Sequence, residues 1–290
     1  MPNTLGPDYL KECVYKPTIF EGKVVLVTGG AGTICRVQTE AMVLLGANAC
    51  IIGRNVEKTE KAAQEISQLR PGAKVLGLGN VDVSKIDSIN GAVQKAVSEL
   101  GRIDFVIAGA AGNFLSSFAG LSARAFARVV EIDLMGSFNT AKAVLEPLTK
   151  SKGHLIFVSA TLQFKGIPMQ SHASAAKAGI DSLVKTLSLE LGPLGIQVNA
   201  IAPGPIMGTE GLERLVPEDM QKRNKELVPL QVFGSTRDIA DSTVYLFSPA
   251  ARFVSGHVLV VDGAAWFNSG AEMEYYPQMI IGQNTGNNKL

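Results

Sequence analysis

Between Lys23 and Leu45 a short apolar run, a glycine cluster and a helical pattern follow one another without a break, and few folds accommodate that succession. Val24–Val27 is continuous and apolar, which suits a strand buried on both faces. Gly29, Gly30 and Gly32 come next, and Ile34, Val37, Ala41, Leu44 and Leu45 then fall at helical spacing. Strand, tight turn and helix together aim backbone N–H groups and a positive helix end at a phosphate. Thr28, Gly29, Gly30, Gly32, Thr33 and Ile34 are therefore the first candidates for holding a dinucleotide. A glycine-rich turn of an ordinary α/β protein is the competing reading of the same residues.

The remainder of the chain repeats the theme. Apolar runs at Ala49–Ile52, Val75–Leu78, Phe105–Ala108, Leu155–Val158, Val198–Ile201 and Val258–Val261 alternate with helical patterns. About seven strands so arranged predict a parallel sheet with helices on both faces, an α/β doubly wound Rossmann domain. No linker interrupts it, so one domain is expected over residues 23–264. Residues 1–22 read as an extension lying on that domain, and 265–290 as a polar tail. An apolar fraction of 46% against 18% charged residues describes a well-cored chain. A net charge of +1 without basic blocks argues against nucleic acid. No run approaches the roughly 18 apolar residues of a membrane span, and the N-terminal residues lack a signal-peptide core. The three cysteines, Cys13, Cys35 and Cys50, lack metal-ligand spacing and predict a reducing compartment and no metal.

In such a sheet the second strand ends beside the adenine ribose, where a carboxylate selects a 2′-hydroxyl and a cation selects a 2′-phosphate. Here that end reads Ile52-Gly53-Arg54-Asn55, with no carboxylate. Arg54 and Asn55, with Arg36 just past the turn, predict NADPH rather than NADH. Asp82 and Val83 close the third strand; Asp82 is expected either to accept from the adenine amine or to cap the next helix.

From roughly residue 23 to 264 the chain resembles the short-chain dehydrogenase/reductases. Thr28-Gly29 opens that superfamily's glycine motif, Lys177 stands where its active-site lysine stands, and Ile201-Ala202-Pro203-Gly204-Pro205 matches its turn after the sixth strand. By that resemblance Pro203, Gly204, Ile206 and Thr209 contact the nicotinamide end. Thr33 and Cys35 stand where the superfamily has glycines. Cys35 is expected to narrow the gap between helix and sheet, with Gly30 and Gly32 giving room and the Thr33 hydroxyl donating to phosphate.

What is missing says more. Four residues before Lys177, where the superfamily has its proton-transferring Tyr, stands Ala173; the Ser position is Ala160 and the Asn position is Asp133. Carbonyl/alcohol interconversion needs that hydroxyl. Ala110-Ala111-Gly112-Asn113-Phe114, Asp133 and Ser171-His172-Ala173-Ser174-Ala175-Ala176-Lys177 are together similar to the 2,4-dienoyl-CoA reductases, in their peroxisomal and fungal branch. Gly204-Pro205-Ile206-Met207-Gly208-Thr209-Glu210-Gly211-Leu212 fits the same branch.

The resemblance implies NADPH-dependent reduction of a 2,4-dienoyl-CoA to a 3-enoyl-CoA. Hydride goes to C5, charge is delocalised onto the thioester oxygen, and a proton reaches C2. It makes Asp133 the acid, working through a water, since an unperturbed Asp with pKa about 3.9 is ionised at neutral pH. Lys177 would hold the nicotinamide ribose and Asn113 would donate to the thioester oxygen. His172 is expected to be packed or hydrogen-bonded rather than catalytic, facing away from the vacant Tyr position. Arg54, Phe114, Ser122, Arg124 and Arg214 fall at or near the family's acyl-CoA contacts, while Ser84 replaces an arginine of a peroxisomal relative.

The ending Asn288-Lys289-Leu290 approximates a Ser-Lys-Leu address read by a peroxisomal import receptor, implying the peroxisome matrix. A homo-oligomer, dimer or tetramer, is implied as well. A 2-enoyl-CoA reductase and a non-catalytic NADPH/acyl-CoA-binding protein are the alternatives.

Overall fold

All five residues of β1, Val24–Thr28, are buried, as a strand covered on both sides requires. The computed structural model describes residues 4–6, 8–209 and 225–268. After β1 come α2 (Thr33–Leu44), β2 (Asn48–Ile52), α3 (Val56–Ser67) and β3 (Val75–Leu78), with α1 (Tyr9–Glu12) preceding them. Then follow α4 (Ile86–Leu100), β4 (Phe105–Ala108), α5 (Ala123–Val130), α6 (Gly136–Ala143), α7 (Leu145–Ser151) and β5 (His154–Val158). Among the described residues α8 (Ser171–Leu191), β6 (Gln197–Pro203), α9 (Thr236–Phe247) and β7 (Val258–Val261) complete the succession.

The seven strands pair in parallel in the order β3-β2-β1-β4-β5-β6-β7, the doubly wound arrangement expected from the alternating runs. Alternate side chains of each strand feed two cores. Val25, Val27 and Ile51 pack with α2 and α9, whereas Leu26, Ile52, Val106 and Phe157 pack with α4, α6 and α8. Each large side chain so buried contributes about 1.5–3 kcal/mol. Because β3 and β4 flank β2 and β1 on opposite sides, the strand order reverses between β1 and β4. A crevice beyond the carboxyl ends of those two strands is where such a sheet binds ligands.

The first residues are tied to this frame. The Leu5 N–H donates to Glu40 Oε2 at 2.7 Å, and the hydroxyl of Tyr9, only 3% exposed, donates to Asp241 Oδ1 at 2.7 Å. The Arg237 guanidinium lies 5.3 Å from the Tyr9 ring centroid and pairs with Glu12. Burial, and then the Asp241 carboxylate, push the Tyr9 phenol far above its ordinary pKa, so it remains a donor. Tyr9→Phe deletes one hydrogen bond and is expected to lower unfolding free energy by about 1 kcal/mol in urea. Tyr9→Ala opens a cavity and should cost roughly 3–5 kcal/mol. Wild-type stability in Tyr9→Ala would show that the extension folds apart from the sheet.

Candidate functional site

The turn after β1 approaches the end of β4 closely. Gly29 has φ +71°, and a Cβ there would lie 2.9 Å from Ala110 Cα, so only glycine fits. Thr28 Oγ1 accepts from the N–H groups of Gly109 and Ala110 at 3.1 and 3.3 Å, closing the two strand ends together. Gly32 is the N-cap of α2, and its carbonyl accepts the first intrahelical bond, from Arg36. The N–H groups of Thr33 and Ile34 precede that bond and open onto the crevice end of the helix. Gly30 lies against Ile51, 2.6 Å from where its Cβ would be. A backbone cradle with a helix N-terminus fits a pyrophosphate.

Cys35 is expected to narrow the gap between helix and sheet, with Gly30 and Gly32 giving room; in the structure it is Gly109 that makes the room. A Cβ on Gly109 would stand 2.2 Å from Cys35 Sγ; in its absence the thiol lies 3.7 Å from the Gly109 carbonyl oxygen. Burial pushes the Cys35 thiol up to about 12, against a lesser pull from Lys177, so it is an inert filler.

Around the ribose end of the crevice the structure redistributes several expected roles. Arg54 is exposed beyond β2 with no carboxylate beside it in sequence. Asn55 caps α3 by accepting from Lys58 N–H at 2.8 Å. Arg36 is a correction: its guanidinium donates to Glu40 at 2.8 Å and Glu65 at 2.7 Å, so two carboxylates already hold the cation expected to meet a phosphate. Asp82 caps no helix; it accepts from the Ser84 N–H and hydroxyl at 3.0 and 2.7 Å. Those Ser84 hydroxyl bonds foremost hold its carboxyl below the usual range. Val83 is buried, and its carbonyl accepts from Asn139.

At the centre of the crevice α8 presents one buried stripe: His172, Ala173, Ala176, Lys177, Ile180, Asp181 and Val184. It faces a helix with a fault. α5 and α6 are joined without a break by a π-helical turn, Glu131–Met135, in which the Gly136 N–H reaches the carbonyl of Glu131, five residues back. Such turns cluster at functional sites. Gly179 of α8 lets this turn close in, since a Cβ there would meet Leu134 at 2.7 Å. Asp133, 1% exposed, is thereby brought to Lys177, 7% exposed, with Oδ2 3.3 Å from Nζ. Asp133 Oδ1 accepts from the Gly112 N–H at 2.7 Å, and Lys177 also donates to the Val158 carbonyl at 3.0 Å. An ammonium has three donors. One is given to the Val158 carbonyl and the charge is paired with Asp133, which leaves donor capacity for whatever occupies the crevice.

Asn113 is exposed between these anchored neighbours; its Oδ1 accepts from the Phe114 N–H at 2.8 Å, which turns its amide NH₂ outward as a donor. Phe114 stacks on buried His172, the packed and hydrogen-bonded histidine expected. Ala173 is buried beside them, so no hydroxyl enters at that position. Ser122 is the N-cap of α5, and Arg124 is exposed two residues beyond it. At the other end, Gly204 approaches Asp262 where a Cβ would be 2.3 Å away, Pro203 closes β6, Ile206 is buried, and the Thr209 hydroxyl donates to the Ile206 carbonyl. Arg214 and the stretch 210–212 lie outside the described residues.

Sequence reasoning missed Asp181. Its carboxylate, one turn beyond Lys177, accepts from Ser159 Oγ at 2.6 Å and from Gln163 Nε2 at 2.5 Å. Burial raises its pKa despite those bonds. Only its spacing of four from Lys177 hinted at a shared face. A cavity of about 540 Å³ opens beside this loop, lined in part by Phe118, Leu162, Ile167, Pro168 and Met169. No group of three or more metal-ligating side chains occurs among the described residues, and no described helix is long and apolar enough to cross a membrane.

Comparison with known proteins agrees with this geometry. A family model described as enoyl-(acyl carrier protein) reductase matches residues 29–264. The chain is 57% identical over 281 residues to the peroxisomal 2,4-dienoyl-CoA reductase SPS19 of Saccharomyces cerevisiae, covering 96% of each protein. It is 37% identical to the peroxisomal 2,4-dienoyl-CoA reductase of Danio rerio, over 90% of this chain and 87% of that one. Among solved structures, levodione reductase superposes with a TM-score of 0.81 at 27% identity, over 86% of this chain and 99% of the other.

The Cys35–Gly109 fit has a direct test. Gly109→Ala overpacks the thiol and should destabilise by about 1–3 kcal/mol. Adding Cys35→Gly should recover most of that loss in thermal unfolding, a coupling that distant sites do not show. Additive effects would mean that the two residues do not share the space.

Proposed function

The chain belongs to the short-chain dehydrogenase/reductase family, and on that premise we propose that it reduces 2,4-dienoyl-CoA to 3-enoyl-CoA in peroxisomes, with NADPH as the electron donor. It is an oxidoreductase that uses a nicotinamide dinucleotide and acts on an acyl-CoA, within the β-oxidation of unsaturated fatty acids. One observation carries the reaction type. Where carbonyl chemistry needs a hydroxyl, buried Ala173 stands; where the superfamily has an amide, buried Asp133 is paired with Lys177 at 3.3 Å.

When bound, the nicotinamide supplies hydride. The Thr28–Ile34 turn would hold the pyrophosphate through the N–H groups of Thr33 and Ile34, while Gly204, Ile206 and Thr209 border its nicotinamide end. Arg54 supports the choice of NADPH, as the exposed cation at the end of β2. Arg36 contributes there by fixing α2 to α3 through Glu65.

Lys177 donates to the Val158 carbonyl and is ion-paired with Asp133, and its remaining donors would meet the nicotinamide ribose and the developing negative charge. Asn113 offers its outward NH₂ to the thioester oxygen, which gains charge as C5 is reduced. Donors preset at that oxygen stabilise the transition state more than the ground state. Asp133 Oδ1 accepts from the Gly112 N–H and Oδ2 is ion-paired with the Lys177 ammonium. The proton for C2 therefore travels on a water held against the Asp133–Lys177 pair rather than directly from the carboxyl. The 540 Å³ cavity would give the acyl chain apolar surface, and Phe114, Ser122, Arg124 and Arg214, the last in the undescribed stretch, are the further candidates for acyl-CoA contact. Import through Asn288-Lys289-Leu290, also outside the described residues, and assembly into a dimer or tetramer complete the proposal.

With purified protein, NADPH absorbance should fall on addition of a 2,4-dienoyl-CoA but not of a 2-enoyl-CoA. Binding of NADPH without turnover on any dienoyl thioester would refute an enzymatic role. Asp133→Ala should lower kcat by roughly 10²–10⁴, the usual share of acid–base assistance. It should also destabilise the fold by about 3–5 kcal/mol, because Lys177 is left buried and unpaired. Wild-type kcat in that variant would remove Asp133 from the proton path. Arg54→Ala should raise KM for NADPH while leaving KM for NADH unchanged.

A further inference from the structure

His172 has no assigned part in the reaction, yet it is 0% exposed and occupies the buried stripe of α8 five residues before Lys177. Its Nε2 lies 3.0 Å from the Phe114 carbonyl oxygen, and the two rings stack with centroids 4.4 Å apart and planes inclined by 24°. A carbonyl only accepts, so Nε2 carries the proton and Nδ1 is the bare nitrogen. Nδ1 is buried without a hydrogen-bond partner. The imidazole is thus spent on a single contact, at some cost in unpaired polarity.

That contact falls on the segment that matters. Gly112-Asn113-Phe114 is gripped at one end by Asp133, through the Gly112 N–H, and at the other by His172, through the Phe114 carbonyl. Between the two grips Asn113 turns its oxygen onto the Phe114 N–H and its NH₂ outward. The Ser116 N–H adds one further tie, to the Met169 carbonyl at 3.1 Å. Displacement of Phe114 would break the His172 bond to its carbonyl and shift the N–H donor that orients the Asn113 amide.

We propose that His172 is a positioning residue: as a neutral Nε2–H imidazole it clamps the Phe114 carbonyl and thereby aims the Asn113 amide at the thioester oxygen. The proposal rests on the reading of Asn113 as a donor to a dienoyl thioester. No proton moves to or from His172 in turnover. Lys177 on the same helix and Asp133 on the facing π turn are ion-paired to each other.

Three variants and one spectrum test it. His172→Phe keeps a ring against Phe114 and loses the donor; kcat with a 2,4-dienoyl-CoA should fall roughly tenfold to a hundredfold, as for a catalytic group displaced by about an ångström. KM for NADPH should change by less than about twofold on the same reasoning. His172→Gln, whose amide N–H reaches the same carbonyl, should recover most of the rate with the wild-type pH profile. In an Asn113→Ala background, His172→Phe should cost little more, because the clamp acts through Asn113. Nitrogen NMR of the wild-type protein, which has only 3 histidines to assign, should show His172 as the Nε2–H tautomer. Nδ1 protonation of the neutral ring, or wild-type kcat in His172→Phe, overturns the clamp. Loss of the basic limb of the pH profile in His172→Gln would instead assign proton transfer to the imidazole. If the wild-type protein turns over no dienoyl thioester, the functional reading fails while the tautomer still decides the clamp.

Discussion

A carboxylate and an ammonium held out of water, Asp133 and Lys177, organise the crevice around them. Burying such a pair costs several kcal/mol per ion, which is recovered only when the remaining donors and acceptors are met. Here they are met by elements far apart in sequence: the Gly112 N–H after β4, the Val158 carbonyl at the end of β5, and α8 itself. The pair therefore ties two strand ends and two helical segments to one point. Anything bound there meets a cation whose direction is already fixed, and a preorganised charge in a dry site acts more strongly than one free to relax.

The π turn explains how a helix delivers that carboxylate. A regular α-helix over residues 123–143 would place the carbonyls of one turn on the turn above and leave Asp133 displaced around the axis. One extra residue at Glu131–Met135 shifts the register, and the Ser137 hydroxyl donates to the Asp133 carbonyl at 2.6 Å. The stability lost from irregular backbone is compensated locally, and the geometry gained lies at the site. Gly136 and Gly179 complete the fit, each lying where a Cβ would collide with a facing side chain, Val83 and Leu134 respectively.

Much of this was readable from residue order. The seven apolar runs lie within two residues of the observed strands, because a strand covered on both faces has no solvent side to blur its composition. The glycine turn and the empty Tyr position at Ala173 were legible through motif spacing; the ion pair of Asp133 with Lys177 was not. The π turn was not, since Glu-Ile-Asp-Leu-Met has ordinary helical composition and its fault is imposed by α8. Nor was the engagement of Arg36, whose partner Glu65 belongs to the next helix, 29 residues on. Cys35 was read as a narrowing because its compensation, the missing side chain of Gly109, sits 74 residues away on another strand. Local pattern reports elements; pairings between elements need the fold.

The anchoring of Tyr9 to Asp241 bears on how the polypeptide matures. Those partners are 232 residues apart, so the first helix has nothing to dock against until nearly all of the chain has been synthesised. At translation speeds of about 5–20 residues per second, that leaves the N-terminal segment undocked on the ribosome for roughly 10–50 s. Its aromatic ring and the apolar groove meant to receive it stay apart for that time, and a chaperone has its opportunity there. Closure of the strap is a late event, and it reports that α9 has found its place.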